Sequence, residues 1–263
     1  MSTDLVPRTP DGVEALYGST KLLERDKEQT EAVQAEAELQ FSIEDFAGGH
    51  APQLEVLHAC RVSRRILLMM ARQAAKSWTI AGAFADRMIM RPGVTNWFMG
   101  LTGTAVHENF WTKVWKPLLF KYGLGPASGT KLNETRMTTE FRNGSRLIMT
   151  GTDDTSHVST FLGNRLAGSM IALDELQSQK PGVVRQLLKD TLPPMLSPTS
   201  TLLLSGVIPE VPAGPWWEES LKPTWQQFSW GRVRVDSEPQ DATSREWVEG
   251  GKTVWISAQA RGL

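Results

Sequence analysis

The run Arg65-Ile66-Leu67-Leu68-Met69-Met70 is apolar at every position after its first, and it empties directly into Ala71-Arg72-Gln73-Ala74-Ala75-Lys76-Ser77. A strand with no polar face has no side to give to water, so it belongs inside a sheet covered on both faces. The pattern after the turn predicts a helix from Lys76 to Met90, stopped by Pro92-Gly93. Strand, tight turn, Lys-Ser and helix together make an anion cradle. The turn offers backbone N–H groups, the helix offers its N-terminus, and Lys76 offers a cation. The segment reads as a phosphate-binding loop. Arg72, Gln73, Ala74 and Ala75 form the turn, Lys76 reaches the β- and γ-phosphates, and the Ser77 hydroxyl ligates Mg²⁺. Such a loop ordinarily has glycine just before the lysine, where positive φ is needed. Here that residue is Ala75, and no glycine occurs from Ala71 to Ser77. The departure either costs nucleotide affinity or reflects a different turn geometry.

A second apolar run, Ser169-Met170-Ile171-Ala172-Leu173, ends in Asp174-Glu175. Adjacent acids at a strand tip point to different sides. One can hold Mg²⁺ while the other orients and deprotonates an attacking water. Either half alone is a weak signal. The two together, in this order, predict a site that hydrolyses a nucleotide.

The rest of the chain alternates. A helix is expected from Pro52-Gln53 through Cys60, with Leu54, Leu57 and the alkyl part of His58 facing inward. Val94–Met99 reads as a strand and Ala105–Lys121 as a helix with Phe110, Val114, Leu118 and Tyr122 in phase, bent at Pro117. Thr135–Arg142 and Ser145–Thr150 flank Asn143-Gly144, a hairpin signal. Residues 151–165 read as a polar loop, Ser169–Leu173 as a strand, Val183–Leu192 as a helix and Thr201–Ser205 as a strand. Strands alternating with helices imply an α/β fold with a mainly parallel central sheet and helices on both faces. Before this core, residues 1–19 read as a loose arm and Lys21–Phe41 as an exposed helix. After Pro209 the alternation fades into Pro- and Trp-rich sequence, where Trp216, Trp217, Trp225 and Trp230 suggest an aromatic cluster.

A formal net charge of −1 argues against a protein coated in basic surface. The single cysteine, Cys60, excludes an intramolecular disulfide and a Cys-based zinc site, and it reads as an inert core thiol. His50, His58, His107 and His157 show no metal-ligand spacing. No apolar stretch reaches transmembrane length and the N-terminus lacks a signal-peptide pattern, so the expected location is a reducing cytoplasm.

From about Phe46 to Pro209 the sequence resembles the ATPase domain of phage terminase large subunits. The resemblance rests on Pro52-Gln53-Leu54-Glu55-Val56-Leu57, Ala71–Ser77, Phe161-Leu162-Gly163-Asn164-Arg165, Ile171-Ala172-Leu173-Asp174-Glu175 and Leu204-Ser205-Gly206. It implies a P-loop NTPase of the additional-strand catalytic-glutamate type, with ATP and Mg²⁺ as ligands. It implies that Gln53 reads adenine, that Asp174 and Ser77 hold the metal, and that Glu175 is the catalytic base. Ser205 then lies in a segment that senses the γ-phosphate. The arginine supplied to a neighbouring subunit is Arg165, with Arg142 and Arg146 as rivals. The implied work is translocation of double-stranded viral DNA into a procapsid, by a homo-oligomeric ring at the portal protein with a small terminase subunit, in the infected host cell. The expected organisation is an arm and helix over 1–45, the ATPase core over 46–208, and a lid-like subdomain and linker start over 209–263. After Gly206 the chain has too little length for the family's C-terminal nuclease, so nuclease activity is not expected and a dissected or split ATPase part is. Two alternatives stand beside this reading: another nucleic-acid translocase or helicase ATPase, and a non-hydrolysing nucleotide-binding scaffold in which Ala75 has spoiled the loop.

Overall fold

A fully apolar strand needs neighbours on both edges and cover on both faces, and β1 (Arg65–Met69) has them. In the computed structural model of the chain, residues 41–71, 74–153, 166–207, 213–229, 245–249 and 252–256 are described. β1 pairs in parallel with β7 (Thr201–Gly206) on one edge and with β8 (Gln226–Phe228) on the other. Beyond β7 lie β6 (Met170–Leu173), β2 (Thr95–Gly100) and β5 (Arg146–Gly151), all parallel. β4 (Thr138–Glu140) and β3 (Lys131–Asn133) then continue antiparallel, giving the order β3-β4-β5-β2-β6-β7-β1-β8. The last-but-one strand to enter, β7, separates β1 from β6; it is the additional strand of the fold class. β8 comes from beyond residue 208, so the sheet draws on more chain than the 46–208 span. Separately, β9 (Arg245–Glu249) and β10 (Lys252–Ile256) pair antiparallel.

Alternate side chains of the inner strands serve two cores. Leu67, Met69, Met99, Ile171, Leu173, Leu202 and Leu204 join Leu176, Val184, Leu187, Trp216 and Trp225 in one cluster. On the other face Phe98 meets Phe84 edge-on at 6.4 Å and stacks on Phe110 at 3.7 Å. Trp216 and Trp225 are thus core residues whose indole N–H groups are satisfied by Val207 O at 3.0 Å and Glu219 Oε2 at 3.1 Å. Trp230 lies outside the described residues, as does the expected helix over 21–41 apart from Phe41.

Helix α1 (Ile43–Ala47) leads into α2 (Ala51–Val62), and α3 (Lys76–Met90) follows β1 within the expected bounds. On α2, Leu57 is buried as expected, but Leu54 and His58 are not on the buried line. Gln53, Val56, Leu57 and Cys60 are buried, at spacings of three, four and seven, whereas His58 is exposed and Leu54 half-buried. His50 rather than Pro52 starts the helix, its Nδ1 accepting from Gln53 N at 3.1 Å. Burial pushes the Cys60 thiol up to about 12, so it stays protonated in the core. Arg61 and Asp86 pair at 2.6 Å and tie α2 to α3.

The long helix after β2 runs through Gly103–Ala105, a π segment Val106–Trp115, and Lys116–Lys121. The π segment precedes Pro117, which has no N–H for an α-helical bond. Its wider turn buries Val106, Phe110, Trp111 and Trp115, while Val114, expected inside, is half-buried. The Asn143-Gly144 hairpin forms between β4, shorter than the expected Thr135–Arg142, and β5, which starts and ends one residue after the expected Ser145–Thr150. Met137 takes φ 48° in the turn after β3, which cuts the run from Thr135. Asn143 Oδ1 accepts from Ser145 N at 3.0 Å, and Gly144 takes the left-handed φ of 80°.

Gly82 on α3 faces Phe46, itself stacked on Trp78 at 5.4 Å. A Cβ at position 82 would lie 2.4 Å from Phe46 Cε1. Gly82→Ala gains helix propensity of about 1 kcal/mol but overpacks a filled site at about 1–3 kcal/mol. Urea unfolding is therefore expected to show net destabilisation; a more stable variant would show that the aromatic group yields freely.

Candidate active site

Parallel strands deliver their following loops to one end of the sheet, at the carboxyl ends. β1 ends at Met69, β6 at Leu173 and β7 at Gly206, side by side, so the segments after them converge. From β6 comes Asp174, its N–H bonded to Met99 O at 2.9 Å. Beside it, in the register Leu173↔Leu204, comes Ser205. From β1 comes the turn into α3.

Ala75 is the residue before the lysine, and its backbone lies at φ 58°, ψ 20°, the left-handed region. The geometry glycine ordinarily serves is kept without glycine. An alanine there costs about 1–2 kcal/mol. Ala75→Gly relieves that strain but frees the unfolded chain by about 0.4–1 kcal/mol. A modest net gain in urea-unfolding stability is the expected result, and a loss would show that the turn is unstrained.

Lys76 is 6% exposed and its Nζ donates to Ala71 O at 3.3 Å, which folds the ammonium back over the turn. Ser77 Oγ donates to Asp174 Oδ2 at 3.5 Å, bridging the starts of the two site segments. Asp174 is buried, and burial pushes its carboxyl above the usual range, with Glu175 adding to the rise. Ser205 and Lys76 pull the other way. Ser205 Oγ stands near the carboxyl yet makes no hydrogen bond of proper geometry among the described residues. Glu175 is half-buried, also left-handed at φ 56°, and starts a 3-10 turn over Leu176–Ser178. Its carboxylate accepts from Gln177 Nε2. Such a conformation in a non-glycine residue is strain that surrounding contacts must hold.

Gln53 sits in the first turn of α2. Gln53 is 5% exposed, and its Nε2 has no hydrogen-bond partner among the described residues. A buried amide donor without a partner is a costly arrangement that a ligand acceptor would resolve.

The structure thus brings together Ala74, Ala75, Lys76, Ser77, Asp174, Glu175 and Ser205. Arg72, Gln73 and Arg165 lie outside the described residues. Of the rival arginines, Arg146 opens β5 at the opposite end of the sheet and its Nε donates to Glu140 at 2.6 Å; Arg142 lies just before it, in the hairpin turn. Sequence reasoning missed Gln177, because a glutamine in a short turn carries no pattern of its own.

The backbone is similar to that of the large terminase of a thermophilic bacteriophage, with a TM-score of 0.55 over 68% of this chain and 44% of that one, at 18% identity. It is similar to the large-terminase ATPase domain of Thermus phage P74-26, with a TM-score of 0.51 over 67% of this chain and 80% of that one, at 16% identity. An arginine-to-alanine variant of that domain gives 0.53 over 71% and 83%, at 16% identity. The chain has the fold of phage large-terminase ATPase domains. It spans less than half the length of the first of these terminases. No protein-family model and no curated protein matches it. Among the described residues, no helix of this terminase-like fold is long and apolar enough to cross a membrane. No group of three or more His, Cys, Asp or Glu side chains that could hold a metal occurs among them either.

Proposed function

We propose that the chain is a Mg-dependent ATPase and the motor part of a terminase large subunit. The observation that carries this is the meeting of Ser77 and Asp174 at 3.5 Å beneath a left-handed Ala75, with Lys76 folded over the same turn. Ala75 has the left-handed φ that glycine ordinarily serves before the lysine, which supports a working loop over the spoiled-loop scaffold.

Lys76 binds the β- and γ-phosphates together with the turn N–H groups, including Arg72, Gln73 and Ala74. Gln53 offers its free Nε2 and its carbonyl to adenine. Ser77 Oγ and Asp174 are the residues that would hold Mg²⁺. Two protein oxygens suit an ion that keeps waters and phosphate oxygens in its remaining positions. When bound, the ion neutralises charge on the β- and γ-phosphates. Glu175 takes a proton from a water whose oxygen bonds to the γ-phosphorus. The bond from that phosphorus to the β–γ bridging oxygen breaks, ADP and inorganic phosphate leave, and Glu175 sheds the proton to solvent. Ser205 and the end of β7 sense the γ-phosphate. Arg165 is the arginine lent to a neighbouring subunit's site.

The work so powered is movement of double-stranded DNA into a procapsid by a ring on the portal protein, with a small terminase subunit bringing the DNA, in the host cytoplasm. In sequence, the arm over 1–45 precedes the ATPase core, and the region over 209–263, which lends β8, Trp216 and Trp225 to that core, follows it. The test is Mg-ATP hydrolysis by the chain with and without double-stranded DNA and portal. Stimulation by the pair supports the packaging reading, and an ATPase indifferent to both removes it.

A further inference from the structure

One buried-edge interaction lies outside the roles given above. Gln177 presents its side-chain amide between two backbone segments. Nε2 donates to Glu175 Oε2 and, at 3.2 Å, to Ser178 Oγ. Oε1 accepts from Val207 N at 2.9 Å. Val207 is the first residue after β7, and its carbonyl accepts from Trp216 Nε1 at 3.0 Å. Both backbone polar groups of Val207 are thus fixed, one by Gln177 and one by a core tryptophan. The space is close: a Cβ on Gly206 would lie 2.6 Å from Gln177 Oε1 and 3.0 Å from the Trp216 ring. A side chain at 206 would crowd both the amide and the indole.

We infer that Gln177 is a positioning residue: its amide sets the Glu175 carboxylate for the attacking water and anchors that setting to the end of β7. The inference rests on the ATPase reading. A carboxylate on a left-handed backbone is held only by what surrounds it, and one oxygen occupied by an amide donor leaves the other for water. The two arms of the amide are chemically distinct, one donor and one acceptor, so they can be cut separately. Gln177→Leu removes both. Gln177→Glu keeps an acceptor for Val207 N–H and removes the donor to Glu175.

The experiment measures kcat and KM for Mg-ATP, nucleotide affinity, and hydrogen exchange at the Val207 amide in both variants beside the parent. The expected result is a kcat lowered by about tenfold to a hundredfold in both, the size of a misplaced catalytic group. KM and nucleotide affinity stay within about twofold, since neither arm touches the phosphate loop. Val207 exchange accelerates in Gln177→Leu and stays slow in Gln177→Glu. A role in folding alone would not split turnover from exchange in this way. Parental kcat in Gln177→Glu overturns the inference while leaving the ATPase reading intact. A parent that hydrolyses no ATP overturns both.

Discussion

Glu175→Gln will bind Mg-ATP as the parent does and hydrolyse it at least about a hundredfold more slowly, the usual worth of a general base. The substitution is close to isosteric, and its carbonyl can still accept from Gln177 Nε2, so the hold on the left-handed backbone at 175 survives. What it removes is the ability to take a proton from water. Lys76, Ser77 and Asp174 are untouched, so affinity has no cause to change. Phosphate release and nucleotide binding, read on the same sample, check this. Turnover at the parental rate would mean that another group activates the water, and a parallel loss of binding would mean that Glu175 acts on the fold of the site.

Lys76→Ala is the complementary experiment. Lys76 is 6% exposed, and its Nζ already lies over the turn, 3.3 Å from Ala71 O, so little ordering remains for it on binding phosphate. A hydrogen bond to a charged group contributes about 1.5–3 kcal/mol, so affinity for Mg-ATP should fall by roughly tenfold to a hundredfold, and hydrolysis with it. Titration of a fluorescent nucleotide gives the number. Unchanged affinity would place the phosphates elsewhere. Together the two variants separate binding from chemistry.

The parts of this fold most legible in sequence are those set by local chemistry. β1 and α3 were readable because a fully apolar run and a Pro-Gly stop bound them, and Asn143-Gly144 because a turn needs a residue that accepts φ 80°. On α2, Leu57 is buried as its pattern predicts, whereas Leu54 and His58 each lie one position past a buried residue, Gln53 and Leu57, and a polar Gln53 hides that line from the sequence. β8 escaped because a three-residue edge strand, Gln226–Phe228, has no periodicity to detect, and only the free edge of β1 gives it a place. In the candidate site, Lys76-Ser77 and Asp174-Glu175 announced themselves by position at strand ends. The Ser77–Asp174 contact and the Gln177 bridge depend on β7 lying between β1 and β6, a long-range pairing that no local window contains.

The claim that most needs testing is that this site turns over ATP. The direct measurement is phosphate release from ATP by the folded parent chain, with Mg²⁺ and with the ion chelated. Saturable, Mg-dependent release that disappears in Glu175→Gln and in Lys76→Ala is the expected result. A folded parent that neither binds nor hydrolyses Mg-ATP would contradict it.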